Sequence, residues 1–181
     1  MKGNPNAGES NATLLPMDYL WTPWRYAYVS TADKVEGCLF CHTRAANNDR
    51  KAMILHRGEF CLVMLNAFPY SSGHVLIAPY AHVDQLDKLE PAACAEMMIL
   101  MQRMESVFRQ VYQPDGINFG MNLGRAAGAG IAGHIHMHGL PRWFGDTSFI
   151  TSVAETRVVP EALETTWEKL RAALGLQQLG I

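Results

Sequence analysis

Three histidines at alternate positions, His134, His136 and His138, stand in the run Gly133-His-Ile-His-Met-His-Gly-Leu-Pro-Arg-Trp143. In an extended strand, side chains at i, i+2 and i+4 share one face, so the three imidazoles line up at about 7 Å per step. Ile135 and Met137 then point into apolar packing on the other side. A helix would spread the rings around its circumference, so the spacing predicts a strand. Imidazoles arrayed this way admit three readings: a histidine-biased surface strand, a three-histidine metal site, or catalysis by a ring acting as nucleophile with a neighbour as proton donor. The run is neither contiguous nor terminal, which excludes a purification tag.

Other residues could contribute. Cys38-Leu-Phe-Cys41 has the spacing of a redox pair or a metal knuckle. A redox C-x-x-C opens a helix in a βαβ unit, which is not evident here, and buried thiols or zinc are the better readings. His42, next to Cys41, is a candidate ligand. Gly128-Ala-Gly130-Ile-Ala-Gly133 fits G-x-G-x-x-G literally, yet it feeds a period-two strand instead of opening a helix, so a dinucleotide-binding reading is rejected. Its glycines still allow backbone N–H groups to approach phosphate oxygens.

The residues from Gly133 to Trp143 resemble the signature of the histidine triad family of nucleotide hydrolases and transferases. Three further stretches resemble it in the same order. Asn66 to Pro79 is similar to the family's ribose-binding turn with its Gly-His and apolar strand. Cys38, Cys41 and Ala81-His82 are similar to the zinc-carrying branch. Asn118 to Gly130 with Pro141 to Asp146 is similar to a bacterial and archaeal branch that includes diadenosine tetraphosphate phosphorylases. The likeness runs from about Leu20 to Ile150.

The resemblance implies His136 as the nucleophile at the α-phosphorus, with a backbone carbonyl fixing its tautomer, and His138 as donor to the phosphate or leaving oxygen. It implies His74 as a supporting histidine, Asn66 on the ribose, Asn122 on phosphate, and Leu39, Phe40 and Leu65 around the base. The phosphate loop maps onto Ala129 and Gly130, without the hydroxyl the family often carries there, so only backbone donors remain. His82 and His134 would join Cys38 and Cys41 as ligands of a structural zinc, the closed tetrahedral arrangement expected of two thiolates and two imidazoles. One departure is Gly139, where the family usually has an aliphatic residue. The implied activity is cleavage or transfer at the α-phosphate of dinucleoside polyphosphates or nucleoside phosphoramidates. A catalytically weak purine-nucleotide-binding or scaffold protein and a three-histidine metalloenzyme stand as alternatives.

The elements that must position these residues read as follows. Residues 1–17, rich in Asn, Gly, Ser and Pro, form a loose segment, and 18–181 a single domain. The aromatic stretch Tyr19 to Val29 suits packing over the core or a dimer interface. Glu59 to Leu65 and His74 to Ala78 read as strands joined by the turn Pro69 to Gly73, an antiparallel hairpin. Asp84 to Lys88 makes one helical turn. Pro91 to Tyr112 is the best helix, with Met97, Leu100, Met101, Met104, Val107, Phe108 and Val111 recurring at three and four. Ile117 to Leu123 and Ile135 to Leu140 are further strands, Phe149 to Val159 holds one more, and Glu161 to Leu174 is a C-terminal helix. The sum is α+β, an antiparallel sheet of about five strands with one long helix. The resemblance adds the same fold, dimerised.

Composition bounds the rest. Hydrophobic residues make up 49% of 181, enough for a sizeable core, and the formal charge of −2 predicts no general attraction to nucleic-acid polymers or membranes. No stretch has the length of an apolar membrane span, and the start lacks a signal peptide. Four cysteines, Cys38, Cys41, Cys61 and Cys94, then argue for reduced thiols or metal in a cytoplasmic setting.

Overall fold

The computed structural model describes residues 37–147 and 160–178, with side chains to 175. The stretches Tyr19 to Val29 and Phe149 to Val159, and the first 17 residues, lie outside them.

Five strands form one antiparallel sheet in the order β1-β2-β3-β5-β4. They are β1 (Ile54–Arg57), β2 (Cys61–Leu65), β3 (Val75–Pro79), β4 (Gly116–Met121) and β5 (Met137–Arg142). Among the described residues three helices accompany them: α1 (Leu39–Arg44), α2 (Pro91–Tyr112) and α3 (Leu163–Gln178). The expected α+β architecture with an antiparallel sheet and one long helix is what forms.

Helix α2 has the expected bounds. Pro91 sits in its first turn, where its missing N–H costs nothing, and Gln113 ends it in the left-handed region at φ 46°. Its apolar stripe, Met97, Leu100, Met104, Val107 and Phe108, is buried against alternate residues of the strands: Cys61, Val63 and Leu65 on β2, Val75 and Ile77 on β3. The intervening residues, Leu62 and Met64 on β2 and Leu76 and Ala78 on β3, face the other way and form a smaller cluster closed by Phe40 of α1. The sheet therefore has a thick apolar layer under α2 and α3 and a thin one under α1, as two-residue periodicity requires.

Strand β1 is not expected from sequence. It is four residues long, and its register slips between Ile54 and His56. Helix α3 secures it. Trp167 Nε1–H donates to the Ile54 carbonyl at 2.9 Å, and the Arg171 guanidinium donates to the Leu55 carbonyl. Outward carbonyls of this edge strand are thereby capped by side chains rather than left open for another chain. The expected turn at 84–88 is a short 3₁₀ segment, Leu86–Lys88. Among the described residues, no helix is long and apolar enough to cross a membrane.

Candidate active site and metal centre

The histidine run does not lie wholly in a strand. β5 begins at Met137, so only His138 is in the ladder, paired with Leu76 of β3 and Gly120 of β4. His134 and His136 precede it in chain whose backbone is held by Ile135 N–H to the Val83 carbonyl, 2.8 Å. The facing holds nonetheless. Ile135 and Met137 pack in the layer under α2, while the imidazoles sit on the side of Leu76 and Phe40.

His134 and His136 diverge in task because their nitrogens meet different partners. His134 is buried, and its Nε2 lies 2.9 Å from the Pro79 carbonyl. A carbonyl only accepts, so Nε2 carries the proton and Nδ1 presents a lone pair. That Nδ1 lies 3.3 Å from Cys38 Sγ, 3.9 Å from Cys41 Sγ and 3.2 Å from His82 Nδ1. Cys41 Sγ is 3.4 Å from His82 Nδ1. All four ligand atoms fall within 4.8 Å of one another. Tetrahedral zinc with ordinary Zn–S and Zn–N bonds separates its ligands by about 3.3–3.8 Å, so the donor set and spacing fit that ion. The Pro79 carbonyl supplies the outer contact that ligating histidines characteristically have. His42 is not gathered into this group.

His136 is 5% exposed and bonds backwards, Nδ1–H to the carbonyl of His134 at 2.9 Å. Its Nε2 therefore holds the lone pair. Burial pushes its pKa below the ordinary imidazole value, against the smaller opposing pull of that carbonyl bond, so the ring is neutral at pH 7. The Phe40 ring packs on both His134 and His136, with centroids 5.0 and 4.8 Å away.

The third ring is oriented by a chain of donors. The Tyr70 backbone N–H donates to His74 Nδ1 at 3.1 Å. His74 Nε2 must then carry its proton, and it lies 3.0 Å from His138 Nδ1. His138 is left with Nε2–H as the donor it presents. The rings of His136 and His138 stand edge to face, 5.0 Å apart, and Tyr70 stacks on His138 at 6.1 Å. The result is a neutral nucleophile next to an N–H donor, each in a tautomer set by a bond on its other nitrogen. Sequence reading missed the roles of Tyr70 and Pro79, both inside the Asn66 to Pro79 motif, because the Tyr70 N–H and the Pro79 carbonyl that set the tautomers are backbone groups.

Other expected residues are placed less directly. Asn66 is buried, its Oδ1 accepting the Phe68 N–H at 3.0 Å and its Nδ2 lying 3.3 Å from His74 Nδ1. It therefore braces the turn and His74. Leu65 belongs to the layer under α2 at 1% exposure, on the opposite face from His138, which removes it from any base pocket on the histidine side. Phe40 is on the histidine side and Leu39 beside it is exposed. The loop after Asn122 makes a 3₁₀ turn, Arg125–Ala127, closed by Gly128 at φ 90°. There the Ala129 N–H turns to the Gly124 carbonyl at 3.3 Å, a long bond that leaves this donor only loosely engaged. A cavity of about 570 Å³ next to the loop is lined by Asp84, Gln85, Leu86, Asp87, Leu123, Gly124 and Ala132, without a triad imidazole, and its acidic rim does not suit phosphate.

Gly139 has a physical reason. A Cβ there would stand 2.7 Å from Phe119 Cε1 and 3.0 Å from Val75 Cγ2. Phe119, opposite on β4, fills the place of the missing side chain and stacks on Phe108 of α2 at 6.3 Å. The backing of His138 is thus an aromatic from the neighbouring strand.

A five-stranded antiparallel sheet with a metal-competent Cys₂His₂ group and alternating imidazoles defines a class, and comparison with known proteins agrees. The HIT domain family matches residues 47–145, and the chain belongs to that family. It is 34% identical over 154 residues to an "AP-4-A phosphorylase" of Mycobacterium tuberculosis, covering 81% of this chain and 79% of the relative. A "Bis(5'-adenosyl)-triphosphatase" of Dictyostelium discoideum is 30% identical over 93 residues, 51% of this chain and 62% of that protein. Among solved structures, a zinc-bound histidine triad family protein from Mycobacterium smegmatis superposes with a TM-score of 0.64 at 30% identity, covering 80% of this chain and 98% of that one.

Proposed function

We propose that this chain transfers or hydrolyses nucleotidyl groups at the α-phosphate of dinucleoside polyphosphates, through a covalent nucleotidyl-histidine on His136. The observation that carries the reading is the bond from His136 Nδ1–H to the His134 carbonyl, which commits the lone pair to Nε2. Nε2 attacks the α-phosphorus; an N–P bond forms, and the bond to the bridging oxygen breaks with its electron pair leaving on that oxygen. The ring becomes a cation whose Nδ1–H remains bonded to the carbonyl, and the His138 Nε2–H hydrogen-bonds the departing oxygen. In the second half, water or inorganic phosphate adds to the phosphorus and the N–P electrons return to His136. Water sheds its proton to solvent as it adds, and phosphate attacks through an oxygen already ionised. Similarity to the mycobacterial AP-4-A phosphorylase supports phosphate as the acceptor.

Cys38, Cys41, His82 and His134 would hold a structural zinc that fixes α1 and the start of the histidine run; bound there it contributes rigidity and no chemistry. Among the described residues the metal-competent group takes in His134 but neither His136 nor His138, which argues against the three-histidine metalloenzyme. The histidine triad domain spans 18–181, works in the cytoplasm and pairs as a homodimer, which sedimentation would check.

The test is a burst assay with diadenosine tetraphosphate, with and without inorganic phosphate, and trapping of labelled protein. ATP with ADP only when phosphate is present identifies a phosphorylase, and ATP with AMP a hydrolase; label must map to His136. Tight AMP binding with no turnover would instead make this a binding module. Loss of bound metal together with activity in His136→Ala would favour the metalloenzyme.

A further inference from the structure

The two faces of β4 and β5 differ in cover. On one, Ile117, Phe119, Met121 and Met137 pack into the layer under α2. On the other, the cross-strand pairs are His138 with Gly120, Leu140 with Asn118, and Arg142 with Gly116. The small apolar cluster of that face covers β2 and β3 only. Gly120 and Asn118 are exposed, and among the described residues a Cβ built on either Gly120 or Gly116 has nothing within 4 Å. An open strip therefore starts beside His138 and runs about 13 Å along β5 to Arg142, at the usual rise per residue.

The other direction out of His136 is closed. Phe40, 1% exposed, packs on His136 and His134, and beyond it lie α1 and the Cys₂His₂ group. Among the described residues the ground left open next to the His138 donor is over Gly120, and a group leaving the α-phosphorus can extend along it. We propose that this strip is the leaving-group track: the polyphosphate and distal nucleoside of the substrate lie along β4–β5, and the absent side chain at Gly120 sets how large a leaving group the site accepts. The inference rests on the reading of His136 as nucleophile. At the far end the Arg142 guanidinium is held by Asn118 at 2.8 Å and by Asp146 at 2.5 and 2.9 Å, which nearly cancels its charge. Selection is accordingly by room more than by attraction.

Gly120→Val tests this. Its backbone is not in the left-handed region and the added atoms enter open space on a strand, so the fold is expected to survive, with an unchanged melting temperature as the check. The measured quantity is kcat/KM for diadenosine tetraphosphate divided by that for adenosine 5′-phosphoramidate, whose leaving group is ammonia-sized. The ratio should fall about tenfold or more in Gly120→Val and by less in Gly120→Ala. A ratio unchanged in both variants overturns the track. In parallel, titrations of His136→Asn and the double variant with AMP and with diadenosine tetraphosphate compare affinities without turnover. The dinucleotide's advantage over AMP should shrink with Gly120→Val, and an equal advantage in both overturns the track even if the wild type proves inactive. Inactivity of the wild type on both substrates counts against the catalytic reading alone.

Discussion

The two faces of the sheet do different work with the same strands. Under α2 and α3, Val63, Ile77, Met104, Val107 and Phe108 are fully buried, and neighbouring apolar residues complete a continuous layer. On the histidine face, the apolar cluster is five residues, and buried polar groups stand beside it: His74, His134, His136 and Asn66. Stability comes mainly from dispersion and water exclusion on the first face. The second holds its shape by directed bonds, each of His134, His136 and His138 fixed by a partner on one nitrogen so that the other is committed to chemistry or metal. Such polar networks specify geometry sharply and contribute less net free energy, because the same groups bond water when unfolded.

This contrast predicts a separation of effects. The largest is catalytic: His136→Asn should lower turnover of diadenosine tetraphosphate by at least about 10⁴-fold while thermal unfolding and metal content stay near wild type. Equal loss of activity and fold would erase the distinction between the faces. On the other face, Met104→Ala removes a side chain at 0% exposure, with an expected cost of about 2–5 kcal/mol in urea unfolding. Activity per folded molecule should change by no more than about twofold, since Met104 packs in the layer on the far side of the sheet from the imidazoles. A collapse of kcat in that variant would mean the layers are coupled more tightly than their separate packing implies.

How far the sequence reveals these faces depends on whether a feature is local. Helix α2 was legible from end to end because its stripe repeats at three and four and Pro91 marks its start. The facing of the imidazoles was legible because Ile135 and Met137 alternate with them. Strand β1 was not: Ile54-Leu-His-Arg57 is too short to show a period, and a register slip and the capping by Trp167 and Arg171 make it a strand. Leu65 looked like a pocket residue until pairing with Val75 fixed its parity. The tautomers depend on the Pro79 carbonyl and the Tyr70 N–H, and no residue type encodes those. The Cys₂His₂ group joins positions 96 residues apart, Cys38 and His134. Only resemblance to a family brought them together before the fold did.

Gly139 is where the faces meet, and it gives a smaller effect. Gly139→Val pushes a branched side chain against Phe119 and Val75 in packed surroundings, for which about 1–3 kcal/mol of destabilisation is expected. Because the next residue back is His138, turnover should fall as well, mostly in kcat. Pairing the change with Phe119→Ala should recover part of the stability, and failure to do so would show that Phe119 is not what occupies the space.

The smallest effect belongs to the open end of the histidine face. The Arg142 guanidinium beside it, then the Trp143 N–H and the Thr147 hydroxyl, hold the Asp146 carboxyl down to about 2. A carboxylate whose folded pKa is depressed adds stability above its unfolded value, near 3.8, and loses it as pH falls through about 2. The Arg142 side chain is 43% exposed and Asp146 17%, so solvent screens the pair, and its worth is about 0.2–1 kcal/mol. Wild type should therefore exceed Asp146→Asn in urea stability by that margin at pH 6, with the gap closing from about pH 4 down to about pH 2. A gap that widens on acidification would reverse the assigned sign, and one comparable to that of Met104→Ala would place a main support of the fold on the open face.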